Sequence, residues 1–359
     1  MTSFLENLAP LGSQANYDNC GLLVGSATTE ITGVLVCLDC TEEVLEEAIE
    51  LGANLIIAHH PLIFKGLKKL NGKNYVERAV IKAIKNDLAI YAIHTNLDHA
   101  LQGVNAEIAK RLGIVNPCIL LPMENSLSKL SVFAPVDYTH TLEQVLFASG
   151  AGSIGNYAEC SFVSEGIGAY KPLEGADPFE GRVGMRSKAA EVKIEVLVSN
   201  HRLSHVVNAM LLAHPYEEVA YDVVPLSNVN PMEGSGMIGE LEDPMDELTF
   251  LAKLKQTFHC GVIRHTELRG KRIKKVAFCG GAGSFLLPQA VQQQADIYVT
   301  GDYKYHEFFD SDNQLIIADI GHYESEQFTT NLIVDVLTKN FTKFAVHNTR
   351  VNTNPINYF

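Results

Sequence analysis

A chain of 359 residues is too long for one ordinary domain, so two or three domains are expected. Its composition, 47% hydrophobic and 19% charged, is typical of proteins that bury a core and excludes a largely disordered chain. The net charge of −14 argues against nucleic acid as a partner, because affinity for phosphate comes mainly from clustered Lys and Arg.

The N-terminus and the cysteines predict a cytoplasmic protein. The first residues contain no basic segment followed by a long apolar run, so no secretory signal is expected. No apolar run reaches the roughly 18 residues that a membrane-spanning helix needs. The seven cysteines are odd in number and scattered, which is typical of reduced thiols. Cys37 and Cys40 form a C-x-x-C without a second pair, which favours buried thiols over a redox or zinc site.

The first third of the chain alternates strand and helix signals. Aliphatic and β-branched residues predict strands at residues 31–38, 54–58 and 88–93. Thr41 is a predicted N-cap, with Glu42 and Glu43 in the first turn of the helix that follows. Further helices are predicted near residues 75–86 and 104–112. Strands separated by single helices predict βαβ units, a mainly parallel sheet and the α/β class.

The last third repeats this pattern, and the middle does not. Strands are predicted at residues 275–279, 296–299 and 315–318, and helices at 285–294 and 323–340. Residues 150–184 are crowded with Gly, Pro and Ser, after which 192–198, 203–213 and 219–224 read as a small β-α-β unit. We therefore predict a discontinuous core, residues 1–126 and 232–359, interrupted by an inserted domain, residues 127–231.

Polar side chains directly follow two of the predicted strands. His59 and His60 come after the strand at 54–58, and His94 and Asp98 after the strand at 88–93. Pro61 ends strand pairing, so both neighbouring imidazoles can reach one pocket. Because open α/β sheets hold ligands at the carboxyl ends of their strands, we expect these side chains to form one site.

A third contribution comes from the start of the predicted C-terminal helix. His322 and Glu326 are spaced i, i+4, so they share one helical face, about 5–6 Å apart. Each of these three short motifs often occurs by chance in proteins without a metal site. Three such motifs, each after a predicted strand, are harder to explain by chance. Mixed nitrogen and oxygen ligands suit divalent Zn, Mn, Fe, Co or Ni, and water would complete the coordination and leave positions open for a substrate.

Five stretches resemble the NIF-three-like family, whose members are also named GTP cyclohydrolase 1 type 2 homologs. They span nearly the whole chain outside the insert and comprise residues 15–25 (ANYDNCGLLVG), 58–62 (AHHPL), 94–98 (HTNLD), 300–302 (TGD) and 321–326 (GHYESE). One departure is Tyr17, which stands where the first motif of the family usually has Trp. An aromatic ring is kept there, so the change concerns details of substrate contact.

The resemblance implies a core of two α/β halves and two divalent metal ions per subunit. The positions that match the metal ligands of the family are His59, His60, Asp98, His322 and Glu326. Residues 155–162 and 214–218 resemble the insert of the longer bacterial members, which implies a ferredoxin-like α+β domain related to PII and CutA modules. The resemblance further implies a homo-oligomer, a hexamer with its sites facing an internal cavity.

Further residues bear on catalysis and substrate. His94, Asp302 and His306 are candidates for proton transfer or for orienting a ligand, and structural hydrogen bonding explains each of them equally well. The glycine-rich run at residues 279–284 suits either the close approach of a phosphate or a tight turn between strand and helix.

A second metal site is conceivable in the insert, at His214, Glu217 and Glu218. We favour a helix-terminating loop there, because Pro215 stops the preceding helix.

Three functions fit these features. The first is a metal-dependent hydrolase that activates water on a small anionic substrate, for which the resemblance implies a nucleotide and hydrolytic opening of the GTP purine ring. The second is a non-enzymatic metal carrier or regulatory adaptor, suggested by the insert. The third is a phosphoesterase that uses the same ions.

Overall fold

The structure, a computed structural model, describes the whole chain, Met1–Phe359. The chain divides into two compact units. The core unit comprises Met1–Pro122 and Met232–Phe359, and the insert unit comprises Met123–Pro231. None of the helices combines the length and the apolar character needed to cross a membrane.

The regular structure consists of fifteen strands and eleven α-helices. The strands, in chain order, are β1 (Gly21–Val24), β2 (Gly33–Cys37), β3 (Leu55–Ala58), β4 (Ala89–Ala92), β5 (Ile114–Met123), β6 (Leu127–Pro135), β7 (Ser161–Tyr170), β8 (Ser187–Ser199), β9 (Tyr221–Leu226), β10 (Asn230–Asp246), β11 (Arg264–His265), β12 (Arg272–Ala282), β13 (Ile297–Gly301), β14 (Ile316–Asp319) and β15 (Ala345–Asn348). The helices are α1 (Thr2–Leu8), α2 (Glu42–Glu50), α3 (Tyr75–Lys85), α4 (Thr95–His99), α5 (Val104–Leu112), α6 (Thr139–Ala148), α7 (Asn200–Ala213), α8 (Glu247–Thr257), α9 (Leu287–Gln292), α10 (His322–Glu326) and α11 (Thr329–Asn340).

One half of the core unit is built on a five-stranded sheet in the order β1-β4-β3-β2-β15. Strands β2, β3 and β4 are parallel, β15 joins parallel to β2, and β1 runs antiparallel to β4. Every residue of β2, β3 and β4 is buried, which explains their continuous apolar sequence. Thr41 caps α2 as predicted, since its side chain accepts a hydrogen bond from Val44 N at 3.4 Å.

The other half is a six-stranded sheet in the order β11-β14-β13-β12-β10-β5. Strands β12, β13 and β14 are parallel, while β10 and β11 run antiparallel to their neighbours β12 and β14. One cluster of buried side chains joins both halves and includes Tyr91, Phe250, Phe278 and Leu337. The predicted α/β class is therefore confirmed, and the shared core fixes the ends of β3, β4 and β14 relative to one another.

Two helices predicted in the last third differ from the structure. The single helix predicted at residues 323–340 is two helices, α10 and α11, because the chain turns at Gln327. The side-chain amide of Gln327 donates to Phe258 O at 2.9 Å and to Glu324 O at 3.2 Å. The helix predicted at residues 285–294 begins as a 3-10 turn and is α-helical only over Leu287–Gln292.

The insert unit contains a four-stranded antiparallel sheet in the order β7-β8-β6-β9. With α6 and α7 its connectivity is β-α-β-β-α-β. Of these elements the sequence predicted β8, α7 and β9 but not β6, α6 or β7. Both ring nitrogens of His214 engage the backbone, because Nε2 donates to Phe133 O at 3.0 Å and Nδ1 accepts from Tyr216 N at 3.0 Å. His214 therefore serves the loop, as favoured from the sequence.

Candidate metal centre

His59 and His60 lie where β3 ends. Their backbone N–H groups still donate to Cys37 O, at the end of β2, at 3.0 Å and to Leu38 O, just beyond it, at 2.9 Å. The two rings nevertheless turn toward one site, with their centroids 5.0 Å apart. Pro61 has no N–H and stops the ladder at this point.

Asp98 and Glu326 approach the same site from different parts of the sequence. Asp98 lies in α4, which begins directly after β4, and Glu326 is the last residue of α10. The Nε2 atom of His59 lies 3.6 Å from Asp98 Oδ1 and 3.8 Å from Glu326 Oε1. His59 is fully buried and Glu326 is 3% exposed, so this part of the site is shielded from bulk water.

The other oxygen of Glu326 faces two further imidazoles. Its Oε2 atom lies 3.0 Å from His60 Nε2 and 3.1 Å from His322 Nε2. The two Nε2 atoms are themselves 3.3 Å apart. His322 and Glu326 share one face of α10 through their i, i+4 spacing, as expected from the sequence.

The ligand atoms fall into overlapping groups in which all atoms lie within 4.8 Å of one another. One group contains His59, Asp98 and Glu326, a second contains His60, His322 and Glu326, and a third contains the rings of His59, His60 and His94. Glu326 belongs to the first two groups, with one oxygen directed at each. Nitrogen and carboxylate donors at this spacing are typical ligands of divalent transition metals.

Two buried polar atoms test whether these residues fit a cation. The Nδ1 atom of His59 donates to Ile93 O at 2.8 Å, which leaves a lone pair on Nε2. Neither His59 Nε2 nor Asp98 Oδ1 has a hydrogen-bond partner. Leaving such atoms buried and unpaired costs free energy, which binding of a cation between them would recover. The donor set therefore fits a metal ion.

The two buried carboxylates differ in their protonation. Burial favours the neutral form of Glu326, but the charge of His322 and the hydrogen bonds from His322 and His60 outweigh it and hold the pKa of Glu326 well below its usual range. Burial, together with the nearby charge of Glu326, raises the pKa of Asp98 to about 7. In the absence of a cation, ionisation of Asp98 beside the charged Glu326 is therefore unfavourable.

His60 and His322 are held in their cationic forms. Burial opposes the charge of His60, but hydrogen bonds to Asp39 and Glu326 raise its pKa to about 10. Burial likewise opposes the charge of His322, while Glu326 and Asp302 raise its pKa to about 11. The distances from Nδ1 to the outer carboxylates are 2.7 Å from His60 to Asp39 and 2.8 Å from His322 to Asp302. These bonds orient each ring with Nε2 toward the site.

Asp39 also belongs to the candidate site, although its motif gave no prediction of this, because its Oδ1 atom lies 2.7 Å from His60 Nδ1. It is the second residue after β2, as His60 is the second residue after β3, so its position at a strand end was the available signal. Its second oxygen accepts a hydrogen bond from the Thr353 hydroxyl at 2.8 Å. The flanking Cys37 and Cys40 are buried, and burial raises the pKa of both thiols, that of Cys40 to about 12. The C-x-x-C therefore presents neutral thiols, as its sequence context suggested.

The three further candidate residues occupy different places. The Nδ1 atom of His94 pairs with Asp18 Oδ1 at 2.9 Å, and its ring lies 5.3 Å from those of His59 and His60. His94 and Asp302 both line an open cavity of about 490 Å³ over the histidines. His306 does not line this cavity; it is exposed, and its ring packs on Tyr305 at 5.2 Å.

The glycine-rich run serves close packing. The N–H groups of Gly280 and Gly281 donate to the Asn105 side chain at 3.1 Å and the Ser325 hydroxyl at 2.9 Å, so neither is free for a phosphate. A Cβ on Gly281, which has φ +63°, would overlap the carboxylate of Glu326. Of the two interpretations left open by the sequence, the structure supports the tight turn.

Fold and site together define the class: an α/β protein with clustered histidines and carboxylates able to hold a metal ion. The model of the Duf34/NIF3 (NGG1p interacting factor 3) family matches residues 1–355. The chain belongs to this family, which confirms the resemblance seen in its motifs.

Curated relatives and solved structures agree with this family assignment. Proteins named GTP cyclohydrolase 1 type 2 homolog are 42% identical in Halalkalibacterium halodurans, over 88% of this chain and 86% of the relative, and 38% identical in Bacillus subtilis, over 98% and 96%. A Bacillus cereus protein related to NIF3 superposes with a TM-score of 0.85 at 38% identity, covering 99% of this chain and 97% of that one. The structure of a Staphylococcus aureus protein superposes with a TM-score of 0.77 at 31% identity, covering 100% of this chain and 97% of that one.

Proposed function

We propose that the protein is a metal-dependent hydrolase that uses a pair of divalent ions. Five side chains would hold the pair: His59, His60, Asp98, His322 and Glu326. The observation that carries the proposal is the pair of buried, unpartnered atoms, His59 Nε2 and Asp98 Oδ1, beside one oxygen of Glu326. Zn, Mn, Fe, Co and Ni all suit these donors.

Divalent ions in such a site lower the pKa of water and polarise the bond under attack. The side chains of the chain itself supply positioning and proton transfer. Asp39 and Asp302 hold the rings of His60 and His322, which fixes the direction of the two Nε2 atoms. His94 faces the cavity and is held by Asp18, so it is positioned to accept a proton from water or to return one to a leaving group.

The proposed substrate is a small anion, with a nucleotide as the first choice. The name shared by the curated relatives refers to GTP, and it motivates nucleotides as candidates for this chain. The cavity combines the polar histidine side with apolar walls from Phe64, Tyr323 and Ile356. Its volume of about 490 Å³ falls within the range of small-molecule sites.

The test begins with protein stripped of metal by a chelator and reloaded with one metal at a time. Each form is incubated with a nucleotide panel that includes GTP and with a generic phosphodiester, and products are separated by chromatography. We expect turnover that is lost in His60→Ala and Glu326→Gln and retained in His205→Ala, which changes an exposed histidine of the insert unit.

Each outcome separates the candidate functions. Turnover that survives both ligand variants, or no turnover with any metal, would overturn the hydrolase. Cleavage of the phosphodiester alone would identify a phosphoesterase. Rapid exchange of bound metal without turnover would identify a metal carrier, the second function considered from the sequence.

We further propose that the insert unit has a ferredoxin-like fold, that the chain forms a homo-oligomer, and that the protein is cytoplasmic. The β-α-β-β-α-β connectivity of the insert unit supports the fold assignment. Its edge strand β7 exposes Phe162 and Ile167, at 66% and 75%, and such an edge favours association with another chain. Sedimentation velocity of the full chain tests the assembly, and a purely monomeric species would contradict it.

A further inference from the structure

The insert unit contains a second cavity, built entirely from residues 133–220. Its volume is about 570 Å³, which falls within the range of small-molecule sites. Four aromatic rings line it, from Phe133, Tyr170, Phe179 and Tyr216. None of these residues takes part in the metal centre.

The rings of Tyr170, Phe179 and Tyr216 form one side of the cavity, the aromatic cage. The Phe179 ring is tilted against that of Tyr216, with centroids 5.7 Å apart, and is 48% exposed. Its other neighbour is Tyr138, whose ring meets it edge-on at 5.9 Å. Aromatic faces carry partial negative charge, so rings gathered in this way attract organic cations.

The polar side of the cavity is negatively charged. Its lining contains three carboxylates, Glu191, Glu217 and Glu218, against one ammonium group, Lys171. Glu191 Oε1 accepts a hydrogen bond from the Tyr216 hydroxyl at 2.9 Å, which ties the carboxylate to the aromatic cage. These carboxylates would repel an anionic ligand. A wholly apolar ligand would remove water from the carboxylates and offer no hydrogen bond or charge in its place, which costs free energy.

Gly168 leaves the space in which the Glu191 carboxylate lies. A Cβ built on Gly168 would overlap Glu191 Oε2, whereas a Cβ on Gly166, two residues earlier in β7, meets nothing within 4 Å. The overlapping atom is the far end of a flexible side chain, so alanine at 168 would displace the carboxylate without disturbing the backbone. The two glycines therefore offer a matched pair of substitutions on one strand.

From these features we propose that the insert unit binds a small organic cation, an alkylated ammonium compound, in the cage formed by Tyr170, Phe179 and Tyr216. The cation lies against the ring faces, and Glu191 provides the opposing charge. This makes the insert a ligand-binding domain, independent of whether the core unit hydrolyses a substrate.

The test uses the full chain, with choline as the probe and dimethylbutanol, in which carbon replaces the choline nitrogen, as the neutral control of the same shape. Binding is measured by ligand-observed saturation-transfer NMR and titration, with metal removed by a chelator so that the metal centre does not contribute. We expect choline to bind and dimethylbutanol to bind at least about tenfold more weakly.

The variants assign the binding to the cage. Gly168→Ala and Phe179→Leu should each weaken choline binding about tenfold, and Gly166→Ala should leave it unchanged. Near-ultraviolet and far-ultraviolet circular dichroism establishes that all three variants are folded. The proposal is overturned if the neutral compound binds as well as choline, if neither binds, or if the two glycine variants behave alike.

Discussion

The hydroxyl of Thr353 donates a hydrogen bond to Asp39 at 2.8 Å, and the other oxygen of Asp39 holds the ring of His60. A residue near the C-terminus therefore orients a candidate metal ligand from the first third of the chain. Asn354, Pro355 and Ile356, which follow it, line the cavity over the histidines.

Replacing Thr353 by Val should weaken metal binding about tenfold, because partners of this kind fix the orientation and basicity of a liganding imidazole. Thr353→Ser keeps the hydroxyl and should bind metal as the wild type does. Affinity is measured by competition with a chromophoric chelator. Equal affinity of the Val and Ser variants would show that the hydrogen bond does not contribute.

Gly281→Ala should disturb the metal centre through contact with Glu326. The new Cβ would overlap the Glu326 carboxylate and lie 3.3 Å from His322 Cε1, so both side chains must move. Gly270 offers a control, because its φ of +70° is close to the +63° of Gly281 while nothing lies within 4 Å of its Cβ position. Both alanine variants should lose about 1 kcal/mol of unfolding free energy to backbone strain. Only Gly281→Ala should lose metal affinity in chelator competition, and a similar loss in Gly270→Ala would refute this explanation.

Asp98→Asn should stabilise the metal-free protein and destabilise the metal-loaded one. The pKa of Asp98 is raised to about 7, so ionising it in the fold costs stability, and this loss develops as the pH rises from about 4 through 7. With metal removed by a chelator, the free energy of unfolding of the variant should be higher than that of the wild type. The difference should be about a few kcal/mol at most at pH 8 and clearly smaller at pH 5. Saturating metal should reverse the order at pH 8. Denaturant titrations at both pH values measure this, and an equal effect at pH 5 and 8 would contradict the assigned ionisation.

Metal binding should release protons at neutral pH. The pKa values of His60 and His322, raised to about 10 and about 11, mean that both rings are protonated in the metal-free protein. A metal ion needs the lone pair of each Nε2, so those protons must leave and the affinity must rise with pH. Calorimetric titration in two buffers of different ionisation enthalpy measures the number released. Identical binding enthalpies in both buffers would show that no proton leaves.

The site was predictable from the sequence because its residues follow strands with strong apolar signals. His59 and His60 come directly after β3, and Asp98 lies in α4, the element that follows β4; the residues of both strands are all buried. The sequence did not predict Asp39 as a site residue, because a single aspartate after a strand is also common in turns. The contribution of Thr353 depends on a chain segment without regular structure, for which periodicity gives no signal.

The elements that the sequence did not predict differ in the reason. Strand β7 lies at a sheet edge with nearly every residue exposed and contains Gly166 and Gly168, so it lacks the alternation that marks a half-buried strand. The break between α10 and α11 carries no proline or glycine. At the break, the side-chain amide of Gln327 donates to Phe258 O and Glu324 O, and the first of these bonds joins residues far apart in the sequence, which periodicity does not reveal.

The division of the ligands along the chain governs when the centre can form during synthesis. The ribosome completes His59, His60 and Asp98 first, then the whole insert unit, and only later His322 and Glu326. A nascent chain can fold its insert while the two ligand groups of the core are still lacking their shared carboxylate. The full set of candidate ligands is therefore complete only after α10 has been synthesised, and a chain cut short before α10 would contain His59, His60 and Asp98 without Glu326, the residue shared by two of the ligand groups.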